Sequence, residues 1–141
     1  MRRRATIVLF LCLGAGGTAR AVSPAGGGDA SRALPAHEVE ILCEVGREYG
    51  LDDERVRLLL AIRKVENGGP GVEMGVASDL PRHASHRMAG DPGRSLRLQA
   101  RWAAGTIRKR YQGNLESFAK GYCPPNSAHW ASMVRYWMGG G

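Results

Sequence analysis

Apolar residues return along this chain at intervals of three and four, the spacing of one helix face. Val39, Leu42 or Ile41, Val45 and Tyr49 form such a stripe, which predicts a first helix over about 36–49 with Gly50 as its stop. A second helix is expected over about 53–66. Asp52 or Asp53 opens it as N-cap, and Glu54 sits in the first turn, where a carboxylate meets unsatisfied backbone N–H groups. A third, over about 93–111, carries Leu96, Ala100, Ala103, Ile107 and Tyr111 on one side, with small residues midway that permit close helix contact. A short helix near 114–120 and a final one near 127–138, started by Asn126 or Ser127, complete the pattern. No run alternates with period 2 for long enough to predict a strand, and no segment repeats. The expected class is therefore mainly α, in one domain over 35–141.

Residues 67–91 break the periodicity. They are rich in Gly, Pro, Ser and His, and predict a long irregular or short β-like segment between the second and third helices. Irregular stretches of that length within a compact domain are generally functional or disordered, which directs attention to their borders. At one border stands Glu66. With about 100° per residue and Glu66 set to zero, Leu59 falls at about +20°, Ile62 at about −40°, Val56 at about +80° and Leu58 at about −80°. Arg57 and Lys64 fall near the opposite side. Glu66 thus occupies the middle of an apolar arc in the helix's last turn. A carboxylate there is costly unless paired, protonated or facing a cleft. The apolar surround and the negative end of the helix dipole both favour its protonated form, the condition a general acid needs near neutral pH. Two plainer readings compete: an ion pair with Arg63, three residues back, or a helix that ends early and leaves Glu66 as a solvated cap.

The run Leu59-Leu60-Ala61-Ile62-Arg63-Lys64-Val65-Glu66-Asn67-Gly68-Gly69, followed by Gly71-Val72-Glu73-Met74-Gly75-Val76, resembles the signature of the lysozyme-like superfamily. It is most similar to the lytic transglycosylase and goose-type lysozyme branch. There an apolar helix ends in an A-I-x-x-x-E-[SN] motif, and a glycine-rich turn leads into a segment that lines the cleft. The resemblance implies a lysozyme-like helical domain in which Glu66 is the catalytic acid, and Gly71, Met74, Gly75 and Val76 form the wall that holds the glycan. It covers residues 51–77. The chain departs from the family's G-A-x-G-L-M-Q run in lacking the glutamine and the paired small residues. Phe118-Ala119-Lys120-Gly121-Tyr122 echoes the family's A-Y-N-A-G motif, which makes Tyr122 a candidate cleft tyrosine beside the reading of it as a core residue.

Charge and cysteines add a compartment. Lys and Arg number 20 against 13 Asp and Glu in 141 residues, a net charge of +7. Four of those bases (Arg2, Arg3, Arg4 and Arg20) lie in the first 21 residues, where there is no acid; sixteen against thirteen remain, or +3. A basic start, an apolar stretch from Ala5 to Gly17 and the small-x-small Ala19-Arg20-Ala21 predict a signal peptide over 1–21, cleaved after Ala21, and a secreted or periplasmic protein. No stable membrane insertion is expected once the signal is removed. Small and polar residues over 22–34 predict a disordered leader. Export would leave Cys43 and Cys123, an even pair in an oxidising compartment. A bridge between them would close a loop of about 80 residues and contribute on the order of 4 kcal/mol. Two buried thiols are the alternative. The histidines (His37, His83, His86, His129) are scattered and no Cys has a CxxC partner, so neither a metal nor a cofactor is implied.

Cleavage of a glycoside needs an acid for the leaving oxygen. A hydrolase commonly adds a second carboxylate. Glu73 is the candidate in the wall segment, with Asp79 and Asp91 as solvated alternatives. A lytic transglycosylase needs none, because the sugar's own 6-hydroxyl attacks. Arg82, Arg87, Arg94, Arg97 and Arg101 form a basic region that would attract an anionic wall polymer, or simply solvate a helix face. Trp102, Trp130 and Trp137 could stack on sugar rings, although Trp130 and Trp137, seven apart, share a face and suit a core. The expected function is an exported enzyme that cleaves peptidoglycan-type β-1,4-linked amino sugars, with peptidoglycan or a related glycan as partner. The alternative is a non-catalytic glycan-binding or inhibitor-like protein on the same fold. Nucleic acid is disfavoured as a partner by the export signal, the modest charge and the absence of a recognisable motif.

Overall fold

The computed structural model describes residues 27–76, 88 and 90–139, and the chain there is mainly helical. The elements are α1 (Ala30–Ala33), α2 (Ala36–Glu48), α3 (Asp53–Glu66), α4 (Pro92–Arg110), α5 (Leu115–Tyr122), a 3₁₀ turn (Pro124–Asn126) and α6 (Ser127–Trp137). Three helix starts obey the expected chemistry, while Asn126 precedes α6 without a side-chain cap. Asp52, Asp91 and Asn114 cap α3, α4 and α5 by accepting from the backbone N–H of Arg55, Arg94 and Ser117. Among the described residues no β-strand is formed, and residues 67–76 run through turns. The expected signal peptide, with its cleavage site, lies outside the described residues, as do 77–87 of the irregular segment.

α3 is the central helix. Leu58, Leu59, Leu60, Ala61, Ile62, Arg63 and Glu66 are all buried on it, and it packs against α1, α2, α4 and α6. Fully burying an aliphatic side chain stabilises by about 1.5–3 kcal/mol, so Leu58, Leu59 and Ile62 together outweigh the cost of one poorly solvated carboxyl on the same helix. α2 packs on α4, Leu42 and Val45 of α2 are fully buried, and the predicted stripe of Leu96, Ala100, Ala103 and Ile107 on α4 is inside. Tyr111, following α4, donates its hydroxyl to Glu54 Oε1 at 2.6 Å and so ties the end of α4 to the first turn of α3. α5 and α6 form a hairpin whose Phe118, Tyr122 and Trp130 rings pack together.

Two expectations are corrected. The leader is not without structure up to residue 34: Asp29 caps a helical turn by accepting from Ser31 N at 2.9 Å, and Ala30 is buried in the core. Asp29 also bridges to Met138 beyond α6. Composition alone hid this, because one capping carboxylate and one buried methyl suffice to dock a short segment. The Cys43–Cys123 bridge is not formed, for Cys43 carries a free thiol. Cys43 sits on α2, which packs with α1, α3 and α4, whereas Cys123 follows α5, which packs chiefly with α6.

Candidate functional site

Glu66 ends α3 on the buried face, as its place in the apolar arc predicts, and is 8% exposed. Asn67 then adopts left-handed backbone (φ 45°), which a small amide side chain tolerates, and turns the chain off the helix in one step. Its N–H still reaches Arg63 O at 3.0 Å. Glu66 is therefore held at a fully formed helix end rather than on a frayed cap.

Arg63 does not take up the Glu66 carboxyl. Its guanidinium grips Glu38 of α2 in a two-pronged pair, both N–H···O distances being 2.9 Å, and its Nη1 donates to the carbonyls of Gly68 and Glu73 at 3.2 and 3.1 Å. One cation thus braces α2, the end of α3 and the turn beyond it. The ion-pair reading of Glu66 with Arg63 is overturned by this geometry.

Among the described residues, what meets Glu66 is largely aromatic or backbone. Trp130 of α6 donates its indole Nε1–H to Glu66 Oε1 at 2.8 Å. Tyr122 of α5 stacks on Trp130, with ring centroids 4.9 Å apart. From the other side comes the wall, residues 71–76, where Gly75 lies over the carboxyl. A Cβ built there would stand 2.5 Å from Glu66 Oε2, and Gly75 has φ +73°, so two independent constraints ask for glycine. Burial pushes the Glu66 carboxyl up to about 7, and the indole hydrogen bond acts in the opposite direction by favouring the ionised form.

The other expected site residues divide. Of the expected wall residues, Gly75 lies against Glu66, while Met74 and Val76 bury their side chains in the core. Tyr122 is buried and donates its hydroxyl to Met74 O at 3.1 Å, so it supports the wall from beneath. Burial and the neighbouring Glu66 charge hold the Tyr122 hydroxyl well above its ordinary range, hence neutral. Glu73 faces elsewhere. It is 4% exposed, its Oε2 accepts from Ser95 Oγ at 3.0 Å, and its Oε1 is buried without a hydrogen-bond partner among the described residues. It lines a cavity of about 330 Å³ with His37, Glu38, Arg63 and Leu96, to which Glu66 does not contribute. Asp91 is occupied as the α4 cap, and Asp79 lies outside the described residues.

The basic region is partly accounted for: Arg97 pairs with Glu44 and Glu48, and Arg101 with Glu48, across the α2–α4 surface. Arg82 and Arg87 lie outside the described residues. Trp102 and Trp137 are half-buried against the core, and Lys64 sits over the Trp137 ring at 5.1 Å. Among the described residues no group of three His, Cys, Asp or Glu could hold a metal ion, and no helix is long and apolar enough to cross a membrane.

Three residues of the site escape a reading of the sequence. Trp130 reads there as a core or sugar-stacking ring, not as a donor to Glu66. Ser95 and Gln99, one turn apart on α4, are fully buried and bind the wall. Their signal is weaker than that of Glu66, since at about −100° and −60° from Leu96 they flank the apolar stripe of Leu96, Ala100 and Ala103 rather than interrupt it.

No protein-family model, curated protein or solved structure matches the chain.

Proposed function

We propose that this protein is an exported glycan-cleaving enzyme with Glu66 as its acid and then its base, acting on peptidoglycan-type β-1,4-linked amino sugars. One observation carries the reading. A single carboxyl stands at the end of the central helix, buried among apolar groups with a pKa of about 7, and so holds its proton near neutrality. The resemblance of Leu59 to Val76 to the lytic transglycosylase and goose-type lysozyme branch of the lysozyme-like superfamily supports it, as does the signal-like start of the chain.

Protonated Glu66 donates to the glycosidic oxygen as the C1–O bond breaks, and the departing sugar leaves as an alcohol. Positive charge develops at the ring carbon. With Glu73 engaged by Ser95 in a separate cavity, the described residues offer no second carboxylate beside Glu66. That favours the transglycosylase course, in which the sugar's own 6-hydroxyl closes on C1 and its proton passes to the Glu66 carboxylate. Atoms balance without water, and Glu66 is returned to its acid form. A hydrolase would instead place water on C1.

Digestion of purified peptidoglycan by the exported protein, followed by mass spectrometry, tests both levels. Anhydro-sugar ends are expected. Reducing ends, heavier by one water, would make it a hydrolase. Intact glycan after prolonged incubation would leave a glycan-binding protein with a structural Glu66.

A further inference from the structure

One buried side chain on α4 governs the shape of the wall. The Gln99 amide accepts at Oε1 from the backbone N–H of Met74 and of Val76, both at 3.2 Å. Its Nε2 donates to Gly71 O at 3.2 Å and to Val76 O at 2.9 Å. One turn earlier Ser95 Oγ accepts from Gly71 N at 3.0 Å and donates to Glu73 Oε2 at 3.0 Å. A turn-rich segment has no ladder of its own to satisfy its backbone, and here side chains from a neighbouring helix do so at both ends. Between those ends sits Gly75, against Glu66.

We infer that Gln99 is a positioning residue for Glu66: it fixes residues 71–76 in the register that lays Gly75 over the carboxyl and keeps water from it. Gln99 acts only through the backbone it grips. Among the described residues, Glu66 is faced by the Trp130 indole from α6, Tyr122 from α5 and Gly75 from the wall, while on α3 itself Arg63 is committed to Glu38 and Lys64 lies over Trp137. Desolvation is the largest influence on the carboxyl, so its tendency to stay protonated depends on the seal that Gly75 completes. Its importance for cleavage rests on the reading of Glu66 as the acid; the seal itself does not.

The test follows the Glu66 carboxyl by carbon-13 NMR titration in the full exported protein, an observable that requires no substrate. In the unaltered protein the carboxyl is expected to titrate near 7, as burial dictates. Gln99→Met keeps the length of the side chain and removes its donors and acceptor. With the wall released and water admitted, titration is expected to fall from about 7 toward the ordinary carboxylate range. An unchanged titration in a folded variant would overturn the inference. Hydrogen exchange of the unaltered protein supplies an arm that survives if Gln99→Met fails to fold. The Met74 and Val76 amides should exchange as slowly as the core amides of α4, and fast exchange at both would equally overturn it. If the titration moves as expected and the unaltered protein cleaves no glycan, the positioning role stands and the enzymatic reading falls.

Discussion

The indole Nε1 of Trp130 donates to Glu66 Oε1 at 2.8 Å, joining the end of the central helix to the last helix across 64 positions of sequence. A donor that cannot accept serves the ionised carboxyl better than the neutral one. Trp130 therefore restrains the upward push that burial exerts, and sets how far above the ordinary carboxylate range Glu66 titrates.

Trp130→Phe should release that restraint. The ring would still pack on Phe118 and Tyr122, but Glu66 would lose a donor and titrate above about 7. In the enzymatic reading, activity falls as Glu66 ionises, so the alkaline limb of the kcat/KM profile should move to higher pH. Stability should fall by about 1 kcal/mol where Glu66 is protonated, and by more at higher pH where the lost partner is an ion. A limb that stays in place, or moves down, would show that the indole does not control the acid.

Arg63 offers a structural test. Its side chain and that of Glu38 are 10% and 15% exposed, and removing one partner of such a pair leaves the other poorly solvated and uncompensated. Arg63→Met also strands the carbonyls of Gly68 and Glu73. A loss of about 3–5 kcal/mol is expected, read from denaturant unfolding. The double variant Arg63→Met/Glu38→Leu should recover part of it, since the poorly solvated carboxylate is then gone. A single variant within about 1 kcal/mol of the unaltered protein would mean that the pair does not brace the turn.

Helix positions beyond α1 were legible from their apolar stripes, and for α3, α4 and α5 from a capping side chain as well. α3 shows both, from the Asp52 carboxylate that accepts from Arg55 N to the buried Leu58, Leu59 and Ile62. Glu66 was legible for the opposite reason, as one residue violating a stripe otherwise obeyed. The partner of Arg63 was not. A spacing of three favours a local pair with Glu66, but the guanidinium reaches Glu38, 25 positions away, and only the packing of α2 on α3 brings them together. Ser95 and Gln99 were harder to read: from Leu96 they fall at about −100° and −60°, on the flank of their stripe rather than at its centre, and a neutral polar residue there carries no large desolvation signal. The thiol pair was misjudged because parity and compartment constrain which cysteines exist, not which ones meet.

Cys43 should react as a thiol. Alkylation of unreduced protein in denaturant, followed by peptide mapping, is expected to label it fully, because no disulfide protects it. Cys43→Ala should change stability by no more than about 1 kcal/mol, since its half-buried position leaves little packing to lose and no cross-link to break. A map containing a Cys43–Cys123 peptide would overturn this assignment and require α2 and the end of α5 to approach within about 7 Å.

Glu66→Gln separates chemistry from stability. The amide keeps the shape of the side chain and still accepts from Trp130, but has no acid proton to donate. Cleavage should drop by about 10²–10⁴-fold, the contribution of a positioned general acid. Stability should move the other way, with a sign fixed by linkage. Because the folded-state pKa of Glu66 lies near 7, above its ordinary 4.5, the folded protein holds a proton that the unfolded chain releases across that interval. The stabilisation is complete below about 4.5 and is lost as pH rises through about 7, a difference of about 3 kcal/mol. The amide of the variant does not titrate and has no such dependence. The two proteins should therefore melt at similar temperatures in acid, and the variant should melt higher at pH 8. The measurement is a pair of melting curves at pH 4 and pH 8, run beside a cleavage assay. A variant that is less stable at pH 8 and still cleaves glycan would make Glu66 a structural partner, and the acid would have to be sought elsewhere in the chain.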